Sequence, residues 1–370
     1  MKKIMFIMTA LGGPGWGGAH KVSVMLANHL VQNGYDVSFA ISEPSPVDYP
    51  IDPSIKVFYL CDYYKKSKNR TFNLLKKLKA FRKLCKTENI DLVVGFTSNM
   101  AIYTVLSTIF SKRKSLISER TDPHKEPRRK ILRGLRNLLF RFADGIVFQT
   151  PGARDYYPKS VRKKSTIIPN PISASLPYPH KGERDLRIVN YCRIAPQKNL
   201  KVLLEAFDIF SKTHPEHTLE IYGDAKKDDS YAASVMEFAA SLESGDKIHI
   251  NKGCPDVHTK VLSATAFASS SDYEGLSNSM LEAMAIGLPT IVTDCENGGE
   301  RMCIEDGENG LIVPMRNPQA LAEALSKVAD NPDFAKKLSE NSVKIRDKFS
   351  TETVFKMWCD YISGILSERN

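Results

Sequence analysis

The stretch SSSDYEGLSNSMLEAMAIGLPTIVTD, residues 269–294, carries the residue types and spacing best suited to chemistry. Its layout predicts a strand end, a loop through Asp272, Tyr273, Glu274 and Gly275, and a helix opening near Ser277 and Asn278. Closure follows at Gly287 and Pro289, before another strand. A helix N-terminus after a strand's carboxyl end offers free N–H groups and a partial positive charge to a phosphate. Glu282 falls about five residues into that helix, about 7 Å along the axis at ~1.5 Å per residue. That reach suits a ribose while a diphosphate sits at the helix cap, and Glu274 then faces the far end of the ligand. One carboxylate on each side of a phosphate cradle describes a nucleotide-sugar site. The plain alternative is a solvated loop acid and an exposed helix acid; the Gly-rich strand–loop–helix context speaks against it.

A second loop worth testing is GGPGWGG, where Gly13, Gly15 and Gly18 spell G-x-G-x-x-G between an apolar run and an amphipathic one. That is the outline of a dinucleotide-binding turn. An NAD site needs an acid about 20 residues after the loop, at the end of the second strand. The sequence there is YDVSFAISE, and its candidate Glu43 comes late. Lys21 follows His20 and not glycine, so no Walker loop is present either. Gly17 and Gly18 have the small profile that lets backbone amides approach a donor or acceptor; a plain tight turn is the other reading.

The elements that must position these loops are legible as alternating strand-like and helical patterns. KIMFIMTA, YDVSFAIS, KVFYL, DLVVGF, SLISE and GIVFQT read as buried strands of the first half. LRIVNYCR, HTLEIYGD, KIHINKG, TAFASSS, PTIVTD and GLIVP continue the series in the second. HKVSVMLANHLVQNG, ended by Gly34, the basic run 73–86 and NLKVLLEAFDIFSKTH read as helices between them. The Pro- and Ser-rich IIPNPISASLPYPHKGERD reads as a linker. Two parallel-sheet domains are expected, 1–175 and 176–345, followed by an aromatic amphipathic helix over 346–370.

The composition, with 42% hydrophobic and 25% charged residues in 370, is that of a globular protein of more than one core. No stretch approaches the roughly 20 apolar residues of a membrane span. The opening MKKIMFIM reads as a first strand and not as a signal peptide, because it runs into a glycine turn and a patterned helix. Seven scattered cysteines form no C-x-x-C pair, which points to a reducing cytoplasm and away from disulfides or structural zinc. The eight histidines show no metal-ligand spacing.

EGLSNSMLEAMAIGLP resembles the E-x7-E motif of the retaining GT-B glycosyltransferases, a family rich in capsule, lipopolysaccharide and exopolysaccharide enzymes. GGAHKVSVMLANHLVQNGYDV, SER at 118–120, PNP at 169–171, YCRIAPQKN at 191–199, IYGD at 221–224 and DGENGLIVP at 306–314 are similar to further segments of that family. These islands fall in order over nearly the whole chain. The resemblance implies two Rossmann-like domains facing a cleft, the second holding the nucleotide and the final helix returning to the first. It implies a nucleotide-sugar donor, expected to be UDP-linked, a glycan or lipid-linked oligosaccharide acceptor, and no cofactor or required metal.

By the same resemblance Arg193 and Lys198 grip the donor diphosphate, Glu282 binds the ribose and Glu274 the transferred sugar. The amides of Gly275, Leu276 and Ser277, beside Asn278, help hold the phosphates. Arg120, just past a strand end, is left between a ligand contact and a structural pair. Cys192 and Asp224 stand where the family usually has glycine. The sequence shows no clear general base paired with an acid, and the resemblance implies retention, the departing phosphate drawing the acceptor's proton on the same face. An epimerase or phosphorylase on this fold, and a silent sugar-nucleotide binder, remain as alternatives.

Charge divides the chain: residues 1–185 carry 32 Lys and Arg against 14 Asp and Glu, the remainder 20 against 28. The basic runs YYKKSKNRTFNLLKKLKAFRKLCK and HKEPRRKILRGLRNLLFRF interleave cations with Leu, Phe and Ile. They suggest docking on an anionic membrane surface, peripheral to the inner face of the cell membrane. No nucleic-acid-binding module accompanies the charge.

Overall fold

The apolar runs of the first half form strands β1 (Lys3–Met8), β2 (Asp36–Ile41), β3 (Lys56–Tyr59), β4 (Leu92–Phe96), β5 (Lys114–Ser118) and β6 (Gly145–Phe148). A further edge strand, β7 (Ser165–Ile167), has no counterpart in the sequence reading, being three half-buried residues after a lysine pair. The second half forms β8 (Asp185–Tyr191), β9 (Thr218–Tyr222), β10 (Ile248–Asn251), β11 (Ala264–Ser269), β12 (Thr290–Thr293) and β13 (Leu311–Val313). This computed structural model describes residues 1–12, 18–42, 44–47, 49–65, 69–96, 98–225 and 229–367. Gly13, Gly15, Gly17 and Glu43 lie outside the described residues.

The strand orders are β3-β2-β1-β4-β5-β6-β7 and β10-β9-β8-β11-β12-β13, with every pairing parallel. Each sheet therefore winds outward from its first strand and then reverses. The reversal opens a crevice at the carboxyl ends of β1 and β4 in one sheet and of β8 and β11 in the other. Parallel strands covered by helices on both faces are apolar throughout, which is why they stood out as unbroken runs.

The chain divides into two compact units, Met1–Asn170 with Val354–Asn370, and Pro171–Thr353. The division falls between Asn170 and Pro171 and again between Thr353 and Val354. In the first unit Phe6 packs its ring against Phe39 and Phe96 at 5.4 and 5.9 Å. Trp358, on the helix Thr351–Ser367, stacks on Phe96 at 5.7 Å and is wholly buried. Tyr361 on the same helix accepts from Ile146 N at 3.0 Å and donates to Lys164 O at 2.6 Å. Aromatic burial with the hydroxyl satisfied on a sheet edge is what ties this helix to the first unit.

In the second unit the helix Leu200–Ser211 buries Leu203, Leu204, Phe207 and Phe210 against Leu321, Leu325 and Val328 of the helix Pro318–Ala329. Beyond β8 and β9 the pairing continues into the loops: Cys192 N donates to Tyr222 O at 2.9 Å and Ile194 N to Asp224 O at 3.0 Å. Gly223 sits so close that a Cβ there would lie 1.8 Å from the Cys192 carbonyl oxygen. Glycine is obligatory at that point. Cys192 and Asp224, the two departures from the family pattern, are accommodated in this continued ladder.

Candidate active site

The loops after β8 and β11 meet at the reversal of the second sheet, the place where doubly wound folds hold ligands. Backbone and side chain stitch them together. Asp272 N donates to Gln197 O at 2.9 Å, and Ser270 Oγ donates to Lys198 O and Asn199 O at 3.1 and 3.0 Å. Asn199 adopts a left-handed φ of 42° and donates from Nδ2 to Asp272 Oδ1 at 2.9 Å. Asn, which tolerates that conformation, turns the chain into the helix that follows.

Glu274 is the centre of this arrangement. Its Oε1 lies 2.5 Å from Lys198 Nζ and accepts from Ser271 Oγ at 2.8 Å. Its Oε2 accepts from Gln197 Nε2 at 3.1 Å, and its carbonyl from Asn297 Nδ2 at 3.0 Å. The carboxyl is buried, with only 8% of the residue exposed. Burial pulls the Lys198 ammonium down, but Glu274 outweighs that and the net shift is upward. The cation is therefore held in its charged form. The sequence assigns Lys198 to the donor diphosphate and Glu274 to the transferred sugar; the fold bonds them to each other. Arg193 lies in the same loop as Lys198 and is exposed.

Glu282 takes a different partner. It is the fifth residue of the helix Asn278–Ala285, whose N-cap Ser277 accepts from Met280 N at 3.4 Å. Its Oε2 accepts from His258 Nε2 at 3.1 Å. Tyr191 stands edge-on to His258 at 5.4 Å and donates to Ser279 O at 3.0 Å, bracing that histidine beside the helix. Burial, then the neighbouring Glu282, pushes the Tyr191 hydroxyl well up, so it stays a neutral donor. Gly275, Leu276 and Ser277 form the buried loop between the two acids, and Asn278 opens the helix. In the first unit, Gly18 heads the helix Gly18–Gln32.

Gln197, Ser271, His258, Asn297 and Glu300 were not singled out by sequence. Gln197 and Ser271 stood inside quoted segments, so their neighbours Lys198 and Glu274 were a usable signal; His258 had none. Glu300 is 3% exposed, and its Oε2 has no hydrogen-bond partner among the described residues. Burial, with Glu274 adding like charge, pushes its carboxyl up to about 7. An acid whose titration is raised to about neutral pH thus shares one end of the site with Glu274. Among the described residues no group of three or more His, Cys, Asp and Glu side chains is placed to hold a metal ion.

Residues 16–176 match the Glycosyltransferase Family 4 model, and residues 178–345 the model for Glycosyl transferases group 1. The chain belongs to the GT-B glycosyltransferases. A relative in Haemophilus influenzae, an uncharacterized glycosyltransferase, is 24% identical over 97% of this chain and 99% of its own. A Campylobacter jejuni alpha-1,4-N-acetyl-D-galactosaminyltransferase, whose name gives an undecaprenol diphosphate-linked glycan, is 24% identical over 99% of each chain. The crystal structure of Anabaena Alr3699/HepE with UDP and glucose superimposes at a TM-score of 0.83, covering 98% of this glycosyltransferase and 100% of that chain at 15% identity. At that identity the likeness is one of fold.

Proposed function

We propose that this glycosyltransferase moves a hexose or N-acetylhexosamine from a UDP-sugar to a growing, lipid-linked cell-surface glycan, with retention and without a metal. The observation that carries the reading is the Lys198–Glu274 pair, set at the sheet reversal and ahead of the helix Asn278–Ala285. The loop amides of Gly275, Leu276 and Ser277 and the first turn of that helix receive the diphosphate. Lys198 and Arg193 supply fixed cations where charge develops on the leaving UDP. Glu282, oriented by His258, accepts from the ribose hydroxyls, and Glu274, held by Ser271 and Gln197, accepts from the sugar. The departing phosphate then takes the acceptor's proton on the same face. The complex of HepE with UDP and glucose, and the undecaprenol-linked glycan in the Campylobacter name, support these substrate classes.

The first unit presents a surface suited to such an acceptor. In the helix Lys130–Leu139 and just beyond it, Ile131, Leu135, Leu138 and Phe142 are 86%, 40%, 53% and 55% exposed. Their spacing puts them on one helical face. Arg128, Arg129, Lys130 and Arg141 stand exposed around that stripe. An outward apolar face flanked by cations fits the interface of an anionic bilayer and supports a peripheral position on the cytoplasmic leaflet. Among the described residues no helix is long and apolar enough to cross a membrane.

The test is a panel of nucleotide sugars screened by thermal shift, followed by UDP release with and without an acceptor extract. A ligand that binds only the native state raises the melting temperature by mass action. A UDP-sugar should stabilise the chain and release UDP in the presence of chelator. Stabilisation by no nucleotide sugar, or a strict need for Mg²⁺ or Mn²⁺, would overturn the reading.

A further inference from the structure

The first unit buries two arginines and treats them differently. Arg136 has every nitrogen occupied. Its Nε donates to Asn137 Oδ1 at 3.1 Å, and its Nη2 to Asn137 Oδ1 and Pro123 O at 2.9 and 3.0 Å. Its Nη1 donates to the Glu126 carbonyl and faces Glu119 Oε2 at 3.8 Å. That is how this fold satisfies an arginine whose work is structural.

Arg120, in the loop after β5, has no such set of partners. Nη1 donates to Asn170 Oδ1 at 2.8 Å, while Nε and Nη2 are buried without a hydrogen-bond partner. Among the described residues it forms no ion pair with a carboxylate. Its guanidinium lies over the rings of Phe96 and Trp358, 4.9 and 5.5 Å from their centroids, which fixes its plane. Phe96, Arg120, Gln149 and Asn170 come from the carboxyl ends of β4, β5, β6 and β7, the ligand-bearing end of a parallel sheet. Burial pulls the guanidinium down to about 9, which leaves it charged at pH 7. A buried charge without a counter-charge destabilises a fold, and an apolar residue of similar length does not. Stability alone gives no reason for Arg120.

We infer that Arg120 is an anion-binding residue of the first unit, taking a phosphoryl group on its Nε–Nη2 edge. That edge is the fork with which arginine grips two oxygens of one phosphate. Both nitrogens are covered, so the anion reaches them as the side chains above give way. The phosphoryl group belongs either to the donor diphosphate or to a diphosphate-linked acceptor. Only this choice of source rests on the proposed glycosyl transfer.

Calorimetric titrations of inorganic pyrophosphate, UDP and farnesyl diphosphate test it on wild type, Arg120→Met and Arg120→Lys. Pyrophosphate should bind wild type and weaken at least tenfold in Arg120→Met, with Arg120→Lys between. A parallel loss for UDP identifies the donor as the source, and a loss for farnesyl diphosphate identifies the acceptor. Arg120→Met should also melt no lower than wild type, because it removes an uncompensated charge. Unchanged binding of all three probes overturns the inference, as does a large fall in melting temperature in both variants. UDP failing to bind wild type would count against the proposed function and leave the pyrophosphate result to decide Arg120.

Discussion

Lys198 Nζ and Glu274 Oε1 lie 2.5 Å apart, although 76 residues separate them in the chain. The contact exists because β8 and β11 are neighbours at the reversal of the second sheet, so the loops that leave them run side by side. Removing one partner of a buried pair strands the other charge, which costs about 3–5 kcal/mol in full burial. Ser271 and Gln197 still hold Glu274, so Lys198→Met should cost about 2–3 kcal/mol. The Lys198→Met/Glu274→Gln double variant should lose less than the sum of the singles in urea unfolding. Strict additivity would show that the pair contributes nothing.

The two acids should separate kinetically. Glu282→Ala is expected to weaken UDP binding by about 1.5–3 kcal/mol, the range for a hydrogen bond to a charged group. His258→Ala should weaken it less, because the carboxylate remains and only its orientation is lost. Glu274→Ala should lower kcat more than UDP affinity. Steady-state kinetics beside UDP titration decides, and equal behaviour of Glu274→Ala and Glu282→Ala would remove the division of roles.

Glu300 gives a pH signature. Its carboxyl is pushed up to about 7 by burial, whereas an unfolded Glu titrates near 4.3. Between those values the native state holds a proton that the unfolded chain has released. Stability therefore falls as pH rises from about 4.3 to about 7, then levels. Glu300→Gln should abolish that slope and exceed wild type by up to about 3 kcal/mol at pH 8. The two should converge below pH 4.5. Urea unfolding at half-unit pH intervals measures it, and a slope surviving in Glu300→Gln would assign it elsewhere.

Vesicle co-sedimentation addresses the exposed stripe. The chain should bind anionic and not neutral vesicles at low salt, and the binding should fade as the Debye length shrinks. Leu135→Glu/Leu138→Glu should abolish it without unfolding the first unit, since both side chains face solvent. Lys77 is a poor choice for such a test. Its Nζ donates to Ser42 Oγ at 2.5 Å and lies 4.9 Å from the centre of the Tyr103 ring.

Gly223→Ala should destabilise the second unit by about 3 kcal/mol or more, because the new methyl meets a backbone carbonyl that cannot rotate away. The melting temperature reads the loss directly. UDP affinity should fall with it, since the loop carrying Arg193 starts at that carbonyl.

Local residue pattern is enough to locate the two sheets, the helix that begins at Asn278 and the acids near its mouth. Strands buried on both faces must be apolar along their length, and a helix must repeat its apolar residues every three or four positions. Such local requirements leave a mark in any short window. β7 left none, because three half-buried residues at a sheet edge obey neither rule. Nothing local says that Lys198 meets Glu274, that His258 meets Glu282, or that burial raises the Glu300 carboxyl. Nor does it say that Arg136 is satisfied while Arg120, sixteen residues earlier, is not. Those outcomes depend on which loops the strand order brings together and on how far water is excluded there. Both are set on assembly, because partner and desolvation are properties of the packed sheet and not of the residue.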